Sequence, residues 1–240
     1  AVGAVGTLGT VSINGGDGND AISVSTGYYT SDVSIEGGVG NDTVTYTAGS
    51  SQDMGLVKLS GVEHLALTLD GSNVADLRNV TGLVDVKITS GASTNDITLN
   101  RIDPGLSVTF AGTTNTDQVV TTLQSGTTQK VAFTAASTVT NFTLDIAATT
   151  LTVTSDDGDA TTDEAMGVFT DIDGAAWTTL IVNGNDRLNA GTVENTVTLI
   201  DASASKGKLT VVAGNNTGTS ILGSEAADSI LGGTGNDTLT

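Results

Sequence analysis

Short runs in which apolar and polar residues alternate recur along the whole chain. Leu65, Leu67 and Leu69 are spaced by small or polar residues, as are Val84–Val86–Ile88, Leu106–Val108–Phe110, Phe142–Leu144–Ile146 and Leu151–Val153. A period of two with one apolar side marks a half-buried strand, because successive side chains point to opposite faces. Clusters of Gly, Asn, Asp and Ser separate the runs, as turns between strands do. A helical period is suggested only around TTDEAMGVF at 161–169, where Asp163 and Glu164 stand as acids of a first turn. The expected fold class is all-β.

Composition sharpens this picture. Hydrophobic residues make up 38% of the 240 positions but aromatics only 3%, so the core is expected to be aliphatic and thin. Forty-two threonines accompany Val, Ile and Leu, a strand-forming mixture. Thirty-one glycines and a single proline, Pro104, without a G-X-Y period, argue for many tight turns and against collagen. No apolar run is long enough to span a membrane, so no membrane-spanning segment is expected. The absence of cysteine excludes a disulfide framework and thiolate zinc sites. The chain opens AVGAVGTLGT, without Met or a charged leader, which reads as a piece of a longer gene product.

Charge narrows the partners. The net charge is −19, from 27 acidic and 8 basic residues. Nucleic acid and anionic membrane surfaces both require Lys and Arg, so neither is expected as a partner. Solubility and cation binding by oxygen ligands both remain compatible with the acidity.

An internal repeat decides more than the totals do. Three nine-residue blocks align without gaps: GGDGNDAIS at 15–23, GGVGNDTVT at 37–45 and GGTGNDTLT at 232–240. GSEAADSIL at 223–231 keeps Asp228 and Ile230 in phase, and GNNTGTSIL at 214–222 keeps Ile221 but carries Thr219 in the Asp position. Fainter echoes occur at 112–120, with Gly112, Asp117 and Val119, and in NGNDRLN at 183–189. Calcium takes six to eight hard oxygens in flexible geometry. Glycines let a six-residue loop bend until its carbonyls converge, the aspartate adds a carboxylate, and the aliphatic residue two positions later enters a strand. Two loops one turn apart can share an ion, whose binding offsets the entropy of ordering them.

These blocks resemble the repeats of RTX proteins, secreted mostly by Gram-negative bacteria through type I secretion. The resemblance implies parallel β-roll turns of two nonapeptides each, with Ca²⁺ between the loops of successive turns. By position, the implied side-chain ligands are Asp20, Asp42, Asp228 and Asp237. The implied backbone ligands are the carbonyls of Gly15, Asp17, Asn19, Gly37, Val39, Asn41, Gly232, Thr234 and Asn236. The interval from block 15 to block 37 exceeds two nonapeptides by four positions, so extra residues near TGYYT are expected to bulge from the turn. The 214/232 pair is half equipped, and the turn expected to complete the site at Asp237 would lie past position 240.

Outside the repeats, LSGVEHLALTLDGS at 59–72 and TLIDASASKGKLTVVAGNN at 198–216 are similar in style to bacterial S-layer proteins that carry RTX repeats. The expected organisation is a β-roll segment at 1–47, a Thr-rich solenoid- or sandwich-like middle at 48–212, and the start of a second β-roll at 213–240.

Other candidates read as structural. His64 is the only histidine and lies in EHLAL, which lacks the HExxH pattern of a zinc protease; no GxSxG elbow occurs either. SDDGDATTDE at 155–164 and DIDG at 171–174 fail the EF-hand spacing. They stand as a solvated acidic loop or a different calcium site using Asp156, Asp157, Asp159 and Asp163. Trp177 is expected to pack, in the core or at an interface.

The expectation is a non-catalytic, calcium-dependent structural component of a secreted surface layer, displayed on a Gram-negative cell. Its partners would be other copies of itself in a lattice, with cell-surface polysaccharide engaged through a region outside this chain. The accessory region of a secreted protease or lipase, or a calcium-rigidified adhesin, are the alternatives.

Overall fold

The computed structural model describes residues 11–25, 33–48, 52–56, 58–69, 71–78, 80–90, 95–103, 105–112, 115–123, 125–159, 161, 164–214 and 218–240. The chain winds as a β-solenoid whose strands pair in parallel, in most turns with the strand two places on. One face is an eleven-stranded sheet from Ala21–Ser25 through Thr43–Ala48, His64–Leu69 and Asp85–Ser90 to Thr238–Leu239. The opposite face is a three-stranded and a nine-stranded sheet. They meet where Lys58–Ser60 pairs back onto Val33–Val39 and Gln52–Leu56 pairs forward onto Asn73–Asp76. Crossing between faces returns each strand in the same direction, which is why no hairpin is needed.

Register turns the alternation of the sequence into columns. Val44, Leu65, Val86, Val108, Val131, Val153 and Val182 stack in consecutive turns, and none is more than 1% exposed. Each such side chain contributes about 1.5–3 kcal/mol by leaving water. A second column runs Tyr46, Leu67, Ile88, Phe110, Phe133 and ends in Ser155. That buried hydroxyl is satisfied by donating to the Arg187 carbonyl at 3.1 Å.

Tyr46 apart, the core is aliphatic toward both ends and aromatic in the middle. Phe110 stacks on Phe133 at 5.2 Å, and Phe169 meets both Phe133 (5.1 Å) and Phe142 (5.6 Å) edge to face. Trp177 is fully buried. Gly174 makes room for its ring, since a Cβ there would lie 2.7 Å from Trp177 Cδ1.

One expectation is corrected and two are refined. The 161–169 segment is not helical: Ala165–Asp173 is a strand, with Phe169 and Ile172 buried and its backbone paired on both sides. Of the two forms expected for the middle, the solenoid is the one observed, because the same parallel winding continues through it. The interval between blocks 15 and 37 is one solenoid turn, with Ile13 paired with Ile35 on one face and Ile22 with Val44 on the other. Most later steps along the eleven-stranded sheet stay close to that length, as from Thr43 to His64, from His64 to Asp85 and from Asp85 to Ser107. The exceptions are the longer step from Thr150 to Thr179 and the shorter one from Ser220 to Thr238, which alone spans two nonapeptides. The bulge expected at TGYYT lies outside the described residues.

The alternation also overran some strands. Val84 and Ile146 are 59% and 77% exposed because they sit in corners. The side chain of Leu69 lies outside the described residues.

Candidate metal centre

The blocks at 15 and 37 lie one directly above the other. Each strand of the second face runs into its loop, turns the corner and enters the next strand of the first face just before an inward aliphatic side chain. Gly16 and Gly38 are register partners with φ of +99° and +116°, a conformation that side chains with a Cβ rarely adopt. The loops bond to one another through Gly18 N–H to the Val39 carbonyl (2.8 Å), Asn41 N–H to Asn19 Oδ1 (2.9 Å) and Thr43 N–H to the Asp20 carbonyl (2.8 Å).

The aspartates complete the corner. Asp20 N–H donates to Asp42 Oδ1 at 2.8 Å, across one turn. The other oxygen of each carboxylate folds back over the first glycine of its own block: a Cβ on Gly15 would lie 2.7 Å from Asp20 Oδ2, and one on Gly37 2.6 Å from Asp42 Oδ2. Both Oδ2 atoms are buried and have no hydrogen-bond partner, and Asp42 is wholly buried. Buried carboxylate oxygens without donors are costly, and calcium ligation is one remedy. The donor set is hard oxygen from carboxylates and carbonyls, the set that calcium prefers. The residues therefore fit the ion that the sequence implies. Asp17 and Val39 point their side chains to solvent, which leaves only their backbone as a source of ligands.

A third acid sits in the same column. Asp42 N–H donates to Glu63 Oε2 at 2.8 Å, and the loop below it is shortened to Gly61–Val62. Glu63 was not legible as a block member, because its glycines are missing. Its one signal is the acid-x-aliphatic spacing to Leu65, shared with Asp20–Ile22 and Asp42–Val44.

The C-terminal copies are arranged differently. Asp237 lies on the same side of the solenoid as Asp20 and Asp42, and Thr219 N–H donates to its Oδ1 at 2.9 Å. Thr219, in the Asp position, is buried and donates to the Val197 carbonyl at 3.2 Å. Asp228 lies on the opposite side. Its Oδ1 accepts from Leu209 N–H (2.8 Å) and Ser224 Oγ (2.6 Å), and its Oδ2 accepts from Ser224 N–H (2.7 Å). Gly232 packs against Asp237 as Gly15 does against Asp20. Thr234 and Asn236 turn the last corner, and a Cβ on Gly218 would run into the Asn236 carbonyl.

The echo at 183–189 and the acidic loop at 155–164 meet in space. Asp186 is 1% exposed and holds both ends of that loop: Asp157 N–H donates to its Oδ2 (3.1 Å) and Glu164 N–H to its Oδ1 (3.4 Å). This is the long turn between Thr150 and Thr179, so one carboxylate closes the insertion. Asp156, Asp157 and Asp186 each place a carboxylate oxygen within 4.8 Å of the others. Burial pushes the Asp186 carboxyl above the usual range, and the charges of Asp157 and Asp156 add to this. Asp159, by contrast, is tied to Thr161, whose side chain and backbone N–H hold its carboxyl below the usual range. Asp163 and the side chain of Asp117 lie outside the described residues.

His64 Nδ1 lies 2.8 Å from Asp85 Oδ1 on the outside of the eleven-stranded sheet, with Lys87 Nζ 3.6 Å from the other oxygen. Asp76 is nearly buried and paired with both Arg78 and Arg101. The hydrogen bond from Arg78 holds its carboxyl below the usual range. No helix among the described residues is long and apolar enough to cross a membrane. Comparison with known proteins gives no match: no family model, curated protein or solved structure aligns significantly with the chain.

Proposed function

We propose that this chain is a structural β-solenoid, set by calcium, of a bacterial surface layer. The observation that carries the reading is the pair of buried, donor-less oxygens, Asp20 Oδ2 and Asp42 Oδ2, in stacked glycine loops. Asp20 and Asp42, with carbonyls of Gly15, Asp17, Asn19, Gly37, Val39 and Asn41, would hold the ion. Calcium supplies positive charge there and links the order of two turns, so the corner sets only where the ion is plentiful, as it is outside cells. Two long faces of mostly short side chains repeat the same relief from turn to turn, which suits side-by-side packing of copies in a layer. The acidity of the chain makes copies repel, so calcium would also favour their assembly.

The test is chelation of the assembled protein. Excess EGTA should lower the melting temperature followed by circular dichroism and shrink the particle size, and added calcium should reverse both. Unchanged values on both measurements would rule the reading out.

A further inference from the structure

Five corner acids make the same bond but do two different jobs. In each case the acid of one turn accepts a backbone N–H from the turn before: Asp42 from Asp20, Glu63 from Asp42, Asp186 from Asp157, Asp228 from Leu209 and Asp237 from Thr219. Asp145, at a corner with no glycine block, does the same for Leu123 N–H at 2.9 Å. This bond needs no ion. It satisfies a corner N–H that the parallel ladder leaves over, through a charge-assisted acceptor.

Among the described corner acids, a second oxygen that is both buried and without a donor is found where two full loops are stacked. Asp20 and Asp42 keep their second oxygens buried and without donors. At Asp228, Ser224 occupies the second oxygen, and at Asp186 the Glu164 N–H does. At Asp237 the facing position of the preceding turn is Thr219, so that turn supplies no second carboxylate. On the other side of Asp42 the shortened Gly61–Val62 loop ends the glycine stack. Glu63 does not make a third ligand, since among the described residues the only three-acid group within 4.8 Å is Asp156, Asp157 and Asp186.

We propose that, within these 240 residues, tight calcium binding is confined to the single corner of loops 15–20 and 37–42, with Glu63 closing that stack, and that Asp186, Asp228 and Asp237 serve here as ion-free clasps between turns. This rests on the calcium reading above and takes Asp228 and Asp237 out of the ligand set that the resemblance implies. The assignment makes Asp20 and Asp42 metal ligands and the remaining acids positioning residues for the backbone.

Equilibrium dialysis of the full chain against radioactive calcium, with circular dichroism as a folding control, separates the outcomes. One tightly bound ion per chain is expected. Asp20→Asn and Asp42→Asn should each weaken it at least tenfold, two variants guarding against one that fails to fold. Asp228→Asn and Asp237→Asn should leave affinity within twofold yet lower the melting temperature equally in calcium and in EGTA. Two or more ions, one of them lost in Asp237→Asn or Asp228→Asn, would overturn the confinement while leaving the calcium reading standing. No bound ion in the unaltered chain would overturn both.

Discussion

Two corners of this solenoid use the same device and end in opposite electrostatic states. At loops 15–20 and 37–42, two carboxylates stack one turn apart, each with one oxygen bonded or free to bond to backbone and the other buried with no donor. At Asp186, a single carboxylate also sits among acids, but both of its oxygens accept backbone N–H groups from the two ends of an insertion. The difference lies in what the neighbouring turn supplies. A second glycine loop brings another acid and close backbone, whereas the insertion brings two loose N–H groups to be gathered. One corner leaves two buried carboxylate oxygens without a donor, and the other satisfies its acid with the chain's own N–H groups.

Glycine substitutions should break this contrast most strongly. A Cβ at Gly37 would run into the Gly61 carbonyl and lie 2.6 Å from Asp42 Oδ2. Gly37→Ala is therefore expected to cost about 3 kcal/mol through overpacking. At the other corner Gly158 has φ of +86° but nothing within 4 Å of a new Cβ. Gly158→Ala should cost only the left-handed backbone, about 1–2 kcal/mol. Urea unfolding of the two variants reads the difference directly, and equal losses would mean that the N-terminal loops are not stacked tightly.

Replacing the acids sharpens the contrast at slightly smaller cost. Asp186→Ala leaves the N–H groups of Asp157 and Glu164 without their acceptor, so a loss of about 1–3 kcal/mol is expected, the same with calcium or EGTA. Asp42→Asn should behave in the opposite sense in the two media. In EGTA it removes a buried charge that lacks a donor and should raise the melting temperature; in calcium it removes a ligand and should lower it. A shift of one sign in both media would contradict the difference drawn between the corners.

The smallest expected effect is a change of slope with pH. The Asp186 carboxyl is raised above its usual value of 3.8 by burial, and the Glu194 carboxyl above 4.5 by burial and by its hydrogen bond with Asp173. A raised acid binds its proton more tightly in the folded chain. The stability it lends is present at acid pH below its unfolded value and is lost as pH rises through the raised folded value. Asp76 is lowered by its bond from Arg78, so its contribution is present above 3.8 and is lost as pH falls through the depressed value. Melting curves across the acid range should therefore respond oppositely. Asp186→Asn should flatten the loss of stability with rising pH, and Asp76→Asn should flatten the loss with falling pH.

The glycine-rich blocks were legible because their information is local. Paired glycines, an acid and an aliphatic residue two places on all fall within one nonapeptide around Asp20, Asp42 and Asp237. Glu63 escaped because its loop has lost the glycines that flag the others and keeps only the acid-x-aliphatic remnant. Asp186 appeared as an incomplete echo, and nothing nearby in the sequence marked it as the partner of Asp157, a whole turn earlier. The 161–169 segment misled because acids before an apolar run suit a helix start equally well. Paired strands on both sides overrode that local preference.

What the sequence by itself determined is the strand period, the turn chemistry and the acid-x-aliphatic step at the corners, since each is imposed by backbone sterics and side-chain alternation over a short stretch. What only the tertiary structure decided is the length of the turn, and with it which acids face which. Register between parallel strands a full turn apart depends on packing whole columns such as Val44 to Val182, and no local signal carries it. That register places a second carboxylate beside Asp42, a threonine beside Asp237 and two backbone N–H groups beside Asp186, and so separates a corner suited to an ion from corners that close on themselves.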